Sequence, residues 1–88
     1  MPRIRIYTTP ICAYCYRAKS LLKQKGAKYE EIDVFMDASA RREMESKANG
    51  CRTVPQIFIG ERHVGGCDEL YALERAGELD ALLAAERT

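Results

Sequence analysis

Two cysteines separated by two residues, Cys12 and Cys15, carry the clearest chemical signal in this sequence. They lie between an alternating, strand-like segment at residues 3–7 and a helix-like segment at residues 16–25. The first N–H groups of a helix have no partner within the helix, and the helix dipole adds partial positive charge there. A thiolate, the form of cysteine that attacks disulfides, is favoured at such a position. We therefore predict that Cys12 is the attacking thiol and that Cys15, one turn further in, resolves the bond that Cys12 forms.

Metal binding is the alternative use of the same spacing, because two thiolates on one helical turn can share an ion. A structural zinc site usually needs a second pair of ligands at short spacing. Cys51 and Cys67 are far apart in the chain, and His63 is the one histidine. The pattern therefore favours thiol–disulfide chemistry, and we predict no metal site.

Composition describes one ordinary globular domain, predicted over residues 1–88, with 47% hydrophobic and 31% charged residues. The net charge of +1 gives no reason to expect a nucleic acid partner. No apolar run has the length that a membrane span needs, and no signal segment precedes the first strand. Four cysteines would also suit two disulfides of a small secreted protein, but the aliphatic content favours a packed core and a reducing, cytoplasmic location.

Hydrophobic periodicity and turn residues predict the element order β-α-β-α-β-β-α-α, an α/β fold in which helices flank a four-stranded mixed sheet. The predicted strands are residues 3–7, 29–34, 54–59 and 63–65. The predicted helices are residues 16–25, a second capped by Asp37 or Ser39, a third capped by Asp68 and closed by Gly77, and a last one over residues 79–83. The first two strands should pair in parallel, and the last two should form a hairpin.

Two segments near the third strand admit both a structural and a functional interpretation. Pro55 is tolerated at the start of a strand, but a cis Val54–Pro55 bond would turn the Val54 backbone outward as a pairing edge for an extended peptide. The glycines of Gly65-Gly66-Cys67-Asp68 suit a flexible turn, or they present free N–H groups that bind a carboxylate at a helix start. The sequence alone leaves both choices open.

Three motifs together resemble one known family. Cys12-Ala13-Tyr14-Cys15, Thr53-Val54-Pro55-Gln56-Ile57-Phe58-Ile59 and Gly65-Gly66-Cys67-Asp68-Glu69-Leu70 occur in the order and with the gaps of the dithiol glutaredoxins, closest to the small bacterial type. The resemblance covers nearly the whole chain. It implies a thioredoxin-like fold and the reduction of disulfides at the expense of glutathione.

The resemblance also implies a role for each matched residue. Cys12 is expected to be the nucleophile and Cys15 its partner in a redox-active disulfide. Val54 is expected to pair with the backbone of glutathione, and Asp68 to bind its α-ammonium group. The full set of expected glutathione-binding residues is Tyr14, Arg52, Thr53, Val54, Pro55, Gly66, Cys67 and Asp68.

The chain departs from the family pattern at three places. Ala13 stands where the commonest motif has proline, and Thr9-Pro10-Ile11 lacks a lysine that many members carry, a charge that Arg52 can partly replace. Cys51 matches nothing in the family mechanism and is interpreted as a small, semi-buried residue.

These features leave three hypotheses for function. The first is a monomeric, glutathione-dependent oxidoreductase acting on glutathionylated proteins and protein disulfides, with glutathione as cosubstrate. The second, which Ala13 keeps open, is a carrier that holds a [2Fe–2S] cluster between two subunits through Cys12 and glutathione. The third is a redox sensor in which Cys51 or Cys67 forms a regulatory disulfide.

Overall fold

A four-stranded sheet forms the centre of the computed structural model, which describes residues 3–84. Its strands are β1 (Ile4–Thr8), β2 (Glu30–Asp33), β3 (Gln56–Ile59) and β4 (Arg62–Gly65), in the spatial order β2-β1-β3-β4. β1 pairs in parallel with β2 and antiparallel with β3, and β3 and β4 form the predicted hairpin. The expected mixed sheet is therefore confirmed.

Four helices cover this sheet: α1 (Ala13–Gln24), α2 (Ala38–Lys47), α3 (Cys67–Arg75) and α4 (Leu79–Ala84). Two apolar layers lie on opposite faces of the sheet. Residues of β1 contribute to both layers, because successive side chains of a strand point to opposite faces. On one face Ile4 and Ile6 pack beneath α1, α3 and α4, and on the other Tyr7 packs with Met44 of α2. This arrangement confirms the predicted thioredoxin-like order of elements.

Several element boundaries differ from the sequence prediction by a residue or more, and two of these differences bear on the site. α1 begins at Ala13 instead of residue 16, so the Cys12–Cys15 motif is part of the helix start. β3 begins at Gln56 instead of Val54. Pro55 has no N–H to donate to the ladder, and the pairing with β1 accordingly reaches only to Tyr7 and Gln56.

The cap of α3 also differs from the prediction, which assigned it to Asp68. Gly66 is the N-cap, and the Glu69 carboxylate reaches back to accept a hydrogen bond from the Gly66 N–H at 2.8 Å. The carboxylate thus satisfies a backbone donor at the helix start, as in one half of a capping box. Asp68 lies instead in the first helical turn.

Candidate active site

Cys12 is the N-cap residue of α1, at the point where the chain from β1 enters the helix. Its backbone is extended, with φ −155° and ψ 107°, and its carbonyl accepts the first helical hydrogen bond from the Tyr16 N–H at 3.1 Å. The side chain folds over the open end of the helix, where Sγ accepts a hydrogen bond from the Cys15 N–H at 3.1 Å. Helix N-termini bind anions, so this arrangement suits a negatively charged sulfur.

Cys15 lies directly behind Cys12 and is buried, with 1% of its surface exposed. Burial, together with the hydrogen bond to Cys12, raises the pKa of the Cys15 thiol to about 12. Cys15 therefore remains a protonated thiol at neutral pH. The two cysteines share one turn of helix but differ in access to solvent, since Cys12 is partly exposed.

The segment before β3 faces the Cys12 thiol. The Val54–Pro55 peptide bond is cis, the functional one of the two interpretations that the sequence left open, and the Val54 carbonyl oxygen lies 3.9 Å from Cys12 Sγ. Gln56, which is buried, holds this segment from behind. Its Nε2 donates to the Thr53 carbonyl at 2.9 Å and to Thr53 Oγ1 at 3.2 Å. This positioning role of Gln56 was missed from the sequence, although a polar residue inside an apolar strand was a usable signal.

The start of α3 closes the other side of the site. Gly65 has φ +115°, a conformation that L side chains rarely adopt, and a Cβ there would lie 3.0 Å from the Glu69 side chain. A Cβ at Gly66 would lie 3.4 Å from the Pro55 carbonyl oxygen. The glycines thus allow a close approach between α3 and the cis-proline segment. Glu69 was a second residue missed from the sequence, and its signal was a carboxylate three residues after a possible cap.

These elements enclose a groove of about 350 Å³ beside Cys12. Seven of the eight residues predicted to bind glutathione line it together with Glu69; they are Tyr14, Thr53, Val54, Pro55, Gly66, Cys67 and Asp68. Arg52 is the eighth and is absent from the lining. Its carbonyl oxygen accepts a hydrogen bond from Arg41 at 3.2 Å, which anchors the backbone just before Thr53.

A contact between α1 and α3 links two of the elements that border this groove. The Tyr71 hydroxyl donates a hydrogen bond to the Arg17 carbonyl at 3.2 Å, and the Arg17 guanidinium lies 5.5 Å above the Tyr71 ring. Such a cation–π contact stabilises an exposed site by roughly 0.5–1 kcal/mol. The helix α1, which Cys12 caps, is thereby held against α3, which Gly66 caps.

The remaining cysteines have different surroundings. Cys67 is buried at the start of α3, and burial raises the pKa of its thiol. Cys51 is exposed, so the prediction of a semi-buried residue was wrong. It lies in the irregular segment between α2 and β3.

Two further findings concern residues 3–84 as a whole. No group of three or more histidine, cysteine, aspartate or glutamate residues in this range is arranged to hold a metal ion. None of the helices in the described range has the length and apolar character that crossing a membrane requires.

Comparison with known proteins identifies the family. The glutaredoxin family model matches residues 4–64. A glutaredoxin of Pseudomonas aeruginosa is 59% identical over 85 residues, which cover 97% of this chain and 100% of that protein.

Solved structures agree with the sequence relatives. The solution structure of a glutaredoxin from Brucella melitensis has a TM-score of 0.85 and 52% identity, covering 100% of this chain and 95% of that one. The crystal structure of a buckwheat glutaredoxin–glutathione complex has a TM-score of 0.84 and 33% identity, covering 93% and 76% of the two chains. This chain therefore belongs to the glutaredoxin family and is a thiol–disulfide oxidoreductase.

Proposed function

We propose that this protein uses glutathione to reduce disulfides, acting on glutathione mixed disulfides through Cys12 alone and on protein disulfides through Cys12 and Cys15. The observation that carries the proposal is the groove beside Cys12 Sγ, which runs from the Val54 backbone to the start of α3. The buckwheat relative was solved as a complex with glutathione, which supports the same ligand for this groove.

The groove offers chemistry that matches the parts of glutathione. The Val54 backbone, beside the thiol, pairs with the backbone of the central cysteine, and Tyr14 covers the outer side. Asp68 pairs with the α-ammonium group of the γ-glutamyl end. The Gly66 N–H already donates to Glu69. The α-carboxylate of glutathione therefore binds the N–H groups of Cys67 and Asp68, which have no partner within the helix.

The one-thiol route needs only the exposed sulfur. The Cys12 thiolate attacks the glutathionyl sulfur of the substrate, and the substrate leaves as a thiolate that takes up a proton. A second glutathione thiolate then attacks the Cys12–glutathione bond, releasing oxidised glutathione and restoring Cys12. Two electrons pass in total from glutathione to the substrate disulfide.

The two-thiol route uses the buried cysteine behind the nucleophile. When Cys12 is bonded to a protein cysteine, Cys15 loses its proton and attacks the Cys12 sulfur, which releases the protein thiol and leaves a Cys12–Cys15 disulfide. Two glutathione molecules then reduce that disulfide. Such chemistry suits a reducing compartment, and we place the protein in the cytoplasm as a monomer.

The test supplies electrons in two ways to the purified protein. With glutathione, NADPH and glutathione reductase, a small glutathionylated substrate should be reduced, whereas NADPH with thioredoxin reductase should support little or no turnover. Asp68→Asn should raise the KM for the glutathionylated substrate roughly tenfold, because it removes one charge-assisted hydrogen bond. Efficient turnover with thioredoxin reductase, or an unchanged KM in Asp68→Asn, would contradict the glutathione assignment.

A further inference from the structure

A patch of exposed apolar side chains lies on the chain beside the nucleophile and outside the groove. It consists of Ile11, Phe35 and Met36, which are 98%, 57% and 90% exposed. Ile11 immediately precedes Cys12, and the other two follow β2. Single exposed apolar residues are common on proteins, but a group of them usually marks a contact surface.

The turn that holds Phe35 and Met36 does not itself require apolar residues. The Phe35 N–H donates to Asp33 Oδ1 at 2.8 Å, and the Asp37 N–H donates to the Val34 carbonyl at 3.3 Å. Met36 has φ +58°, in the left-handed region where glycine and asparagine are the favoured residues. The turn therefore accepts an unfavourable residue, and local backbone geometry gives no reason for the exposed methionine.

The patch borders a small pocket of its own. Thr9, Pro10, Ile11 and Phe35 line a cavity of about 250 Å³, and none of these residues lines the groove between Tyr14 and Glu69. Cys12 follows this pocket in the chain, and its sulfur lies against Val54 in the groove. The nucleophile thus contacts the groove through Val54 and follows directly in the chain a residue that lines a separate apolar pocket.

We infer that this pocket receives an apolar side chain of a polypeptide substrate, from a residue close to the cysteine that becomes bonded to Cys12. The inference rests on the proposed function, since it concerns the second substrate of the same thiol. A tripeptide ends within the groove, whereas a protein segment continues beyond it, and an extended chain advances by about 3.5 Å per residue. A residue one or two positions from the bonded cysteine therefore comes within reach of Ile11 and Phe35.

The position of the pocket directly before Cys12 in the chain favours a polypeptide substrate as its occupant over a second copy of this protein. Once a polypeptide is bonded to Cys12, its neighbouring residues are held at high local concentration over the patch, so even a modest apolar contact is made. A contact between two copies gains no such advantage. The pocket would then make the enzyme prefer disulfides that are flanked by apolar residues.

The test compares two synthetic substrates, each a symmetric disulfide of a seven-residue peptide. One peptide has leucine on both sides of its cysteine and the other has serine. Cys12 attacks one sulfur and releases the other peptide as a thiol, and Cys15 and glutathione complete the reduction as above. We expect the native protein to show a kcat/KM roughly five- to tenfold higher on the leucine peptide, since part of one leucine side chain is buried.

Two variants locate the preference. Phe35→Ser should reduce the ratio of the two kcat/KM values to about one and leave the rate on a small glutathionylated substrate unchanged. Tyr16→Ser is the matched control. Tyr16 is an aromatic residue in the first turns of α1, near Cys12, and it is 72% exposed but lines neither the pocket nor the groove. This variant should keep the native preference.

Equal rates of the native protein on both peptides, or a preference that survives in Phe35→Ser, would overturn the inference and leave the glutathione assignment intact. A native dimer that Phe35→Ser converts to a monomer in size-exclusion chromatography would overturn it as well, because the patch would then join two copies. No turnover on any disulfide substrate would remove the proposed function and this inference together.

Discussion

The backbone N–H of Cys15 donates a hydrogen bond to the Sγ of Cys12 across 3.1 Å. The main chain of Cys15 thus holds the sulfur of Cys12 near the surface, while the thiol of Cys15 itself is buried. The donor belongs to the helix backbone, so it persists when the Cys15 side chain is replaced. This separation of backbone and side-chain roles allows the two cysteines to be tested independently.

Cys12→Ser should abolish thiol–disulfide exchange, with at least a hundredfold loss on every disulfide substrate. Among residues 3–84 no other cysteine lies at the N-terminus of α1 with access to the groove. The measurement is the glutathione-coupled rate on a small glutathionylated substrate and on a protein disulfide. Substantial turnover by this variant would mean that the nucleophile is another thiol, and Cys51→Ser, at an exposed position, is the control that should keep full activity.

Cys15→Ser should separate the two routes. Cys12 and the Cys15 N–H both remain, so we expect the rate on a small glutathionylated substrate to stay within about threefold of the native value. Reduction of a protein disulfide should fall at least tenfold, because the protein stays bonded to Cys12. Both substrates are assayed with the same glutathione supply. Equal losses on the two would show that Cys15 activates or supports Cys12 instead of resolving its disulfide.

Alkylation should follow the burial and the pKa of the thiols. Burial raises the pKa of Cys15 to about 12, so the reactive thiolate is present there only in strongly alkaline solution. At pH 7–9 iodoacetamide should therefore modify the reduced protein at Cys12 and Cys51, which are accessible, and spare the buried Cys15 and Cys67. Peptide mass mapping against time gives the order. Modification of Cys15 before Cys12 would contradict the assignment of the exposed nucleophile.

Glu69→Ala should loosen the start of α3, since it removes the acceptor for the Gly66 N–H. Loss of a capping interaction costs about 0.5–2 kcal/mol, and the N–H groups proposed to bind the glutathione carboxylate should lose their alignment. We expect a lower free energy of unfolding and a higher KM for the glutathionylated substrate. Glu69→Gln is the matched control, because glutamine can also accept from the cap N–H. If both variants show the same loss of stability and the same rise in KM, the effect is due to the lost charge of Glu69 and not to the lost cap.

Ala13→Pro should be accepted by the fold, because Ala13 is the first residue of α1 and proline suits that position. The rate on a small glutathionylated substrate should remain within about threefold of the native rate. If the native protein assembles a [2Fe–2S] cluster with glutathione under anaerobic conditions, the stiffer helix start should weaken it, as seen in the visible absorption spectrum. Unchanged cluster loading would show that residue 13 does not control cluster binding.

Much of this fold follows from short-range signals in the sequence. The alternation of Ile4 and Ile6 indicated β1, and the position of Cys12 before a helical pattern indicated the helix cap. Interactions that depend on tertiary contacts were harder to predict from the sequence. The sequence predicted Asp68 as the cap of α3, whereas the cap is Gly66, whose N–H donates to the Glu69 carboxylate.

The candidate site shows the same division. The resemblance of the motifs correctly selected seven of the residues that line the groove, but it also selected Arg52, which does not line it. The spacing of residues in a sequence does not reveal which way a loop side chain points. Gln56 lies within the predicted third strand, and its hydrogen bonds to Thr53 could not be predicted from that strand pattern. The left-handed conformation of Met36 had no sequence signal, since methionine rarely adopts it.

The link between Tyr71 and Arg17 has a consequence for redesign. Cys12 caps α1, and the start of α3 is the part of the groove proposed to bind the ammonium and carboxylate groups of glutathione. On that proposal, the distance between these helices sets the length of thiol compound that the groove accepts. Below the surface the two helices pack in one core cluster, to which Ala18 of α1 and Leu70 of α3 both belong. A change of side-chain volume there would alter substrate size selectivity without replacing any residue that contacts the substrate.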